Sequence, residues 1–284
     1  MLKKIKYLFE SILIYFFFFI AKMIGLSNSR KFFSFLFKKI GPLIKSEKIV
    51  HKNLSNFSSL SNEEKETIIS DMWSNYGMTF IEYIFLKYFR YNSSHIEIEG
   101  EDILDNLVEK NKQVIFVSGH FANFELMSME ITKKKINLAT IYRPLNNIFL
   151  NPFMEYLRKK YVCKYQIKKG VAGVKDAINY INDNYSIAMM IDQRVSEGEK
   201  VKFFNHDALT TTLPGQLAIK FNLDLVPVFI ERKNESSFKM KIYNPIKTSD
   251  FKDKLEITKK LNNTLEKMIF ANPNQWIWTH DRWK

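Results

Sequence analysis

The fold is decided by the stretch Val114-Ile115-Phe116-Val117-Ser118-Gly119-His120-Phe121-Ala122-Asn123-Phe124-Glu125. Its first four residues are apolar and rich in β-branched side chains, which predicts a buried strand. Asn123 is a favoured N-cap residue, so a helix is predicted to begin there. Open α/β sheets bind their ligands at the carboxyl ends of the strands. His120 at that edge and Glu125 in the first helical turn are therefore the first candidates for functional side chains.

Short β-rich runs alternate with helical patterns from about residue 95 onwards. The predicted strands are Ile96–Glu99, Gln113–Ser118, Leu138–Tyr142, Ser186–Ile191, Leu225–Ile230 and Phe238–Tyr243. The predicted helices are Asn123–Lys134, Asn151–Tyr161, Val171–Asn184, Pro214–Phe221 and Phe251–Ala271. This alternation predicts an α/β fold with a mixed, largely parallel sheet flanked by helices. Upstream, Ser61 and Glu64 have the spacing of a capping box, which predicts the start of a further helix.

The N-terminal part of the chain combines positive charge with solid apolar blocks. Residues 1–52 carry +9 of the formal net charge of +13, and Ser11–Ala21 is almost entirely aliphatic or aromatic. Nucleic-acid-binding proteins usually interleave basic residues with polar residues and exposed aromatic rings. Basic charge beside continuous apolar blocks suits an anionic membrane surface better. We therefore predict an N-terminal hydrophobic membrane-associated helix, and no nucleic-acid partner.

The length of this apolar segment leaves its mode of membrane contact open. The uninterrupted run is shorter than the roughly 20 residues that a spanning helix needs, and extending it over Tyr7–Leu26 includes Glu10 and Lys22. A buried soluble helix with a basic outer face is the alternative. More basic residues follow the run than precede it, which places the main body in the cytoplasm. We predict a membrane-anchoring segment over residues 1–45, one larger domain over residues 46–284, and a location at the inner (cytoplasmic) membrane.

His120 and Glu125 are a candidate general base with its orienting carboxylate. A hydroxyl is a weak nucleophile near neutral pH, and an imidazole within hydrogen-bond reach can take its proton during attack. A carboxylate on the other ring nitrogen would fix the tautomer and stabilise the imidazolium. N–H groups at the helix start would favour a nearby oxyanion. The alternative is a locally capped histidine and a solvated glutamate, since a His-x4-Glu spacing is common by chance.

Two further strand ends place polar residues at the same edge. Asp192-Gln193-Arg194 follows one predicted strand, and Arg143 follows another, directly before a proline. An arginine at this edge can hold a phosphate group through two parallel hydrogen bonds. The alternatives are a plain salt bridge between Asp192 and Arg194 and a surface arginine at a turn. Three strand ends with His, Arg and Asp-Gln-Arg indicate a site more strongly than any one of them.

Other chemistries fit the sequence less well. The sequence lacks Gly-x-Ser-x-Gly, a P-loop and Gly-x-Gly-x-x-Gly, the patterns of a nucleophile elbow and of two nucleotide-binding loops. His120, His206 and His280 do not have the helix-face spacing of metal ligands, so no metal is predicted. Cys163 is the single cysteine, which excludes an intramolecular disulfide and favours a packing role.

Six motifs occur in order along the chain, and together they carry a resemblance. They are Gly119–Glu125, Tyr142–Asn147, Lys168–Gly170, Met190–Gln193, Val201–Thr210 and Gln275–Lys284. In this order they resemble the lipid A biosynthesis acyltransferases, the lauroyl and myristoyl transferases of the HtrB family, within the glycerolipid acyltransferase-like superfamily. The resemblance extends from the hydrophobic N-terminus to the last residue. Ala122 departs from it, because a glycine is common there in the family.

The resemblance implies an O-acyltransferase that needs no cofactor and forms no acyl-enzyme. A hydroxyl of a lipid A precursor would attack the thioester of an acyl carrier protein, with acyl coenzyme A as the alternative donor. His120 would be the base and Glu125 its orienter. The residues that would bind substrates or shape the site are Asn123, Arg143, Lys169, Asp192, Gln193 and Arg194. Acylation of another polar membrane lipid (a glycolipid, aminolipid or lysophospholipid) and a non-catalytic membrane adaptor are the alternatives.

Overall fold

The computed structural model describes residues 2–44 and 47–284, and its elements follow in chain order. The strands are β1 Ile96–Glu99, β2 Val114–Ser118, β3 Leu138–Tyr142, β4 Tyr165–Lys168, β5 Ser186–Met190, β6 Glu199–Phe203, β7 His206–Thr210, β8 Asp224–Arg232 and β9 Phe238–Ile242. The helices are α1 Leu2–Ile44, α2 Glu47–Phe57, α3 Asn62–Glu82, α4 Leu86–Tyr91, α5 Glu101–Glu109, α6 Glu125–Lys133, α7 Asn151–Leu157, α8 Val171–Asn182, α9 Leu213–Phe221 and α10 Lys254–Ala271. A π-helical turn over Arg158–Val162 extends α7.

Seven of these strands form one sheet in the order β1-β9-β8-β2-β5-β3-β4, and β6 and β7 form a separate hairpin. Among the described strands of this sheet, β8 and β9 pair antiparallel, and the other neighbours pair in parallel. Every residue of β2 is buried, as expected for a central strand with both faces covered. The predicted α/β fold with a mixed, largely parallel sheet is confirmed.

The six predicted strands are confirmed, with small differences at their ends, and so is the capping box at Ser61 and Glu64. Helices α2 and α5, strand β4 and the β6–β7 hairpin were not predicted. The hairpin exposes its charged residues, and its buried apolar residues, Val201, Phe203 and Ala208, are too few to produce a clear apolar run. The predicted N-cap role of Asn123 is wrong, because α6 begins at Glu125 without a side-chain cap.

Helix α1 consists of two helical halves joined at Gly25, whose backbone lies at φ 78° and ψ 170°. The ring centroids of Phe17 and Phe33 lie 5.5 Å apart. In a straight helix, positions 17 and 33 would be separated by about 24 Å along the axis. The chain therefore turns back on itself at Gly25. Glycine reaches this positive φ without the steric penalty of a side chain.

The second half of α1 is fixed to α3 by close packing and a buried ion pair. A Cβ atom on Gly77 would lie 2.2 Å from the carbonyl oxygen of Phe33, so the two backbones touch at this point. Nε of Arg30 lies 2.6 Å from Oε1 of Glu82, and both side chains are buried. Arg232 at the end of β8 reaches the same carboxylate. This cluster joins α1, α3 and the central sheet.

The first half of α1 has apolar side chains on its outer face as well as on its packed face. Ser11, Phe18 and Ala21 are buried, whereas Phe19 is 65% exposed and Met23 is 72% exposed. The outer face also exposes Leu8, Phe9, Ile12, Leu13 and Phe16. Of the helices in the described ranges, α1 alone is long and apolar enough to cross a membrane, judged by length and composition. A helix that exposes large apolar side chains in this way suits contact with lipid.

Candidate active site

The carboxyl ends of four parallel strands meet at one edge of the sheet and open onto a cavity of about 610 Å³. His120 follows β2, Arg143 follows β3, Lys169 follows β4 and Gln193 follows β5, and all four line this cavity. The parallel order β2-β5-β3-β4 brings these strand ends side by side. Strand order, rather than proximity in the sequence, therefore assembles the site.

The imidazole of His120 is held by Asp192. Nδ1 of His120 lies 2.8 Å from Oδ1 of Asp192, and the backbone N–H of His120 donates to Oδ2 over 2.9 Å. The indole N–H of Trp276 donates to the same Oδ2 over 2.8 Å. A carboxylate at Nδ1 favours the tautomer that carries its proton there. Nε2 is then the basic nitrogen available to a substrate.

Asp192 is ionised despite being buried. Burial alone would raise the pKa of this carboxyl group, but the charge and hydrogen bonds of His120, with the Trp276 indole, hold the pKa at about 2. A permanent negative charge next to the imidazole stabilises the imidazolium that forms when His120 takes a proton. The pair therefore has the electrostatics of a general base with an orienting carboxylate.

Glu125 was predicted to orient His120, and the structure corrects this pairing. Glu125 accepts hydrogen bonds from the hydroxyl of Tyr83 and from Nε of Arg158, the latter over 2.7 Å. The prediction assumed that a helix starts at Asn123 and brings the two side chains together across its first turn. The chain instead turns at Ala122, which has a positive φ of 43°, and the helix starts two residues later than predicted.

Glu125, Tyr83 and Arg158 form a polar cluster that also lines the cavity. Burial, together with the Glu125 charge, raises the pKa of Tyr83, so its hydroxyl stays protonated and donates to Glu125. Burial alone would lower the pKa of Arg158, but the Glu125 carboxylate holds it above its ordinary value. Nη2 of Arg158 donates to the Tyr83 hydroxyl over 2.8 Å. The cluster places a fixed cation in the wall of the cavity.

A second set of cationic and polar groups lies around the mouth of the cavity. Lys169 is exposed, and partial desolvation of its ammonium group, together with the nearby charge of Arg143, lowers its pKa. Nε2 of His280 accepts the backbone N–H of Arg194 over 3.0 Å, so the His280 ring carries its proton on Nδ1. Burial also lowers the pKa of His280, which favours the neutral ring. Arg143 and Lys169 together favour an anionic group in this part of the cavity.

Three of the six predicted substrate-binding residues lie outside the cavity lining: Asp192, which is buried behind His120, and Asn123 and Arg194. Asn123 is buried, and its Nδ2 donates to Oε2 of Glu82 over 2.9 Å. Its side chain points towards α3 because the positive φ of Ala122 turns the chain there. Nε of Arg194 donates to the backbone oxygen of Lys284 over 3.0 Å. These two side chains anchor the loops beside the site.

The loop that carries His120 is held on both sides. The hydroxyl of Thr79 donates to the carbonyl of Ala122 over 3.0 Å, and the N–H of Ala122 donates to the carbonyl of Gln275 over 3.0 Å. Ala122 adopts left-handed backbone angles that glycine adopts more easily. This explains physically why a glycine at this position would suit the loop.

Sequence reasoning missed Tyr83, Arg158, Trp276 and His280 as parts of the site. Trp276 and His280 belong to the C-terminal motif, which was quoted without a role for either side chain. Arg158 lies in the basic run Arg158-Lys159-Lys160, and Tyr83 lies in an aromatic stripe. Nothing in either local pattern distinguishes a buried ion-pair partner from a solvated or packing residue.

Comparisons with known proteins agree with the motifs. The family model described as bacterial lipid A biosynthesis acyltransferase matches residues 1–284, the whole chain. A lipid A biosynthesis palmitoleoyltransferase of Escherichia coli K12 is 26% identical over 267 residues, which cover 88% of this chain and 84% of that protein. A lipid A biosynthesis lauroyltransferase of the same organism is 24% identical over 248 residues, covering 84% and 78%. The resemblance predicted from the motifs is confirmed.

Two further similarities complete the comparison. A lipid A biosynthesis acyltransferase of Haemophilus influenzae Rd is 24% identical over 261 residues, which cover 89% of this chain and 82% of that protein. The crystal structure of the 1-acyl-sn-glycerophosphate acyltransferase PlsC of Thermotoga maritima matches with a TM-score of 0.43 and 14% identity. That match covers 95% of this chain and 99% of the other.

Proposed function

This chain belongs to the bacterial lipid A biosynthesis acyltransferases, and on that premise we propose that it transfers a fatty acyl chain from the thioester of an acyl carrier protein to a hydroxyl of a lipid A precursor. The family is one of O-acyltransferases. The observation that carries the proposed mechanism is the pairing of His120 with the buried Asp192 beside a cavity that has cationic and apolar walls. Each part of that arrangement corresponds to one requirement of the reaction.

His120 is the general base in this mechanism, with Asp192 as its orienter. Nε2 takes the proton of the acceptor hydroxyl while the hydroxyl oxygen attacks the thioester carbonyl carbon. The tetrahedral oxyanion then collapses, the C–S bond breaks, and the imidazolium returns the proton to the thiolate. The products are an ester and a free thiol. Cys163 takes no part, because it is buried beyond the cavity lining.

The cationic wall is proposed to bind the polar head of the acceptor. Arg143 and Lys169 line the same cavity as His120, and Arg158, which is less exposed than either, is paired with Glu125. Arginine forks fit phosphate oxygens through two parallel hydrogen bonds. A phosphorylated sugar bound there would bring a nearby hydroxyl to Nε2 of His120. In this proposal Glu125 fixes Arg158, and Gln193 contacts the same polar head.

The apolar wall is proposed to receive the acyl chain. Phe18 of α1 and Phe80 of α3 line the cavity together with Leu150 and Met154 at the start of α7. The Phe18 and Phe80 ring centroids lie 5.4 Å apart. Burying each methylene group of a fatty chain contributes about 0.8 kcal/mol. Since α1 supplies part of this wall, the N-terminal segment contributes to the site as well as to membrane contact.

The exposed apolar face of α1 is proposed to sit in the inner membrane, with the domain of residues 46–284 on the cytoplasmic side. Lys3, Lys4 and Lys6 precede the apolar face, where lysines favour anionic lipid headgroups. Ile148 and Phe149, next to the cavity-lining Leu150, are also exposed, by 52% and 39%. An apolar rim beside the cavity gives a lipid substrate a path from the bilayer. The acidic carrier protein would approach the basic cytoplasmic surface.

The test is turnover by the purified full-length protein in mixed micelles. We expect free thiol release from an acyl carrier protein thioester, and a lipid A precursor heavier by one acyl group in mass spectrometry. His120→Ala should reduce turnover by at least 10²-fold, a typical general-base contribution. His206→Ala is the matched control, because His206 is exposed in β7 and lies outside the cavity lining.

Parallel reactions distinguish the alternatives. Acyl coenzyme A replaces the carrier protein in one, and a lysophospholipid replaces the lipid A precursor in another. Acylation of the lysophospholipid alone would favour another polar lipid as the acceptor. Thiol release that is equal in wild type and His120→Ala would refute the proposed mechanism.

A further inference from the structure

The C-terminal segment, residues 272–284, contacts Asp192 and the loop that carries His120 through the dipeptide Gln275-Trp276. The amide oxygen of the Gln275 side chain accepts the backbone N–H of Arg232 over 2.7 Å, and its Nε2 donates to the carbonyl of Arg232 over 2.8 Å. The Gln275 side-chain amide thus bonds to both the N–H and the carbonyl of Arg232 at the end of β8, as the backbone of a neighbouring strand would. Gln275 therefore fixes the C-terminal segment to the central sheet.

The backbone of the same dipeptide pairs with the loop that carries His120. The carbonyl of Gln275 accepts the N–H of Ala122, and Trp276 forms an antiparallel bridge with Phe121, the residue after His120. Trp276 is 2% exposed, and its ring packs edge-on against Trp278 at a centroid distance of 4.6 Å. The indole therefore has a fixed position relative to the base.

The indole N–H of Trp276 acts on one oxygen of Asp192. Oδ2 accepts both this N–H and the backbone N–H of His120, so Oδ1 faces Nδ1 of the imidazole. The χ2 torsion of an aspartate is soft, and Trp276 supplies a second donor that opposes its rotation. Hydrogen bonds from fixed donors to an ionised carboxylate are stronger than those between neutral groups.

We propose that Trp276 is a positioning residue, whose indole N–H holds the Asp192 carboxylate in the orientation that aims the His120 imidazole into the cavity. This inference rests on the proposed role of His120 as the base. Trp276 also lines the cavity, but its N–H is directed at the carboxylate. Its effect on turnover is therefore transmitted through Asp192.

The primary test is Trp276→Phe, which retains an aromatic ring and removes the N–H donor. We expect kcat to fall about tenfold, equivalent to about 1.4 kcal/mol, with little change in KM for either substrate. Trp283→Phe is the matched control. Trp283 lies in the same segment and outside the cavity lining, and it donates its indole N–H to the carbonyl of Phe203 over 3.1 Å. We expect Trp283→Phe to keep the wild-type kcat per folded molecule, with thermal unfolding midpoints measured for both variants.

A double-mutant cycle separates positioning from general packing. In an Asp192→Asn background the His120 tautomer is already the wrong one, so loss of the Trp276 N–H should lower kcat further by less than about twofold. Benzothienylalanine at position 276 has the shape of tryptophan with sulfur in place of N–H, and it tests the donor if the phenylalanine variant unfolds. The inference is overturned if either position-276 variant keeps the wild-type kcat, or if Trp276→Phe costs the same tenfold in the Asp192→Asn background. Loss of activity in His120→Ala together with wild-type kcat in Trp276→Phe would refute this inference and leave the proposed function intact.

Discussion

Asp192→Asn is the substitution that most directly distinguishes the two carboxylates near His120. The sequence predicted Glu125 as the orienter, whereas the structure places Asp192 at Nδ1 of His120 and Glu125 on Arg158. Asparagine has the shape of aspartate and removes only the charge and one acceptor oxygen. Comparing the kcat of Asp192→Asn with that of Glu125→Gln, an equally conservative change, therefore distinguishes which carboxylate orients the His120 imidazole.

The expected size of the effect follows from the hydrogen bonds around Asp192. Two donors, the His120 backbone N–H and the Trp276 indole, face Oδ2, so the amide oxygen of an asparagine takes that position. Its NH₂ group then faces Nδ1 of the imidazole and donates to it. The ring proton consequently moves to Nε2, the nitrogen that must accept the hydroxyl proton. A wrong-tautomer substitution of this kind lowers kcat by up to about 10⁴ in a serine protease.

We expect Asp192→Asn to lower kcat by about 10²- to 10⁴-fold while KM for donor and acceptor stays within about threefold. Thiol release at saturating substrate concentrations measures kcat. Mass spectrometry of the lipid product checks that the released thiol comes from acyl transfer and not from hydrolysis of the thioester. Circular dichroism and the unfolding midpoint control for folding. A kcat within about threefold of wild type in Asp192→Asn, with a large loss in Glu125→Gln, would refute the assignment and restore the pairing predicted from the sequence.

Three further predictions concern stability, measured by chemical unfolding in detergent. Ala122→Gly should leave stability unchanged or raise it by up to about 1 kcal/mol, because relief of left-handed strain exceeds or offsets the added chain entropy; a clear loss would contradict the backbone of this loop. Gly77→Ala should destabilise the protein by more than about 2 kcal/mol, because its Cβ would lie 2.2 Å from the carbonyl oxygen of Phe33. The control is Glu66→Ala at an exposed position of the same helix, which should change stability by less than about 0.5 kcal/mol. The pKa of Asp192 falls from an ordinary 3.8 to about 2 in the folded chain, so its ionisation stabilises the fold above about pH 4. About 2 kcal/mol of the free energy of unfolding is lost as the pH falls towards 2. Asp192→Asn should remove this part of the acid dependence, and an unchanged acid transition in that variant would contradict the prediction.

Much of the fold could be predicted from the sequence because buried parallel strands are continuous apolar runs. β2 and β5 are flanked by other strands and helices, so their residues are apolar except Ser118 at the end of β2 and Ser186 at the start of β5. The bend in α1 could not be predicted in the same way. Gly25 lies inside a long apolar segment, and the reversal there depends on the contact of Phe33 with Gly77 and on the ion pair of Arg30, all partners distant in sequence.

The location of the candidate site could be predicted from the sequence, but the hydrogen-bonded partners of its side chains could not. The strand ends that carry His120, Arg143 and Asp192 could be identified, because polar residues directly after apolar runs mark the carboxyl edge of the sheet. Which carboxylate meets the imidazole depends on two features with no local signal. One is the turn at Ala122, and the other is the strand order that places β5 next to β2.

A His-x4-Glu spacing therefore describes two separate ion pairs in this chain. His120 pairs with Asp192 from the neighbouring strand, and Glu125 pairs with Arg158 from the turn after α7. The two pairs lie on the same loop–helix junction, so the five-residue spacing fixes the separation between the proposed general base and the paired cation of Arg158. An acyl transfer needs both functions, because the base activates the hydroxyl and a cation in the wall favours the negative charge that develops or is bound there. On this reasoning, Glu125→Gln impairs the reaction through Arg158, and its defect and that of Asp192→Asn should combine nearly additively in kcat, since the two pairs share no hydrogen-bond partner. If Glu125 instead oriented the His120 imidazole directly, Arg158 would have no part in the defect of Glu125→Gln or of Asp192→Asn. Arg158→Gln would then leave kcat unchanged.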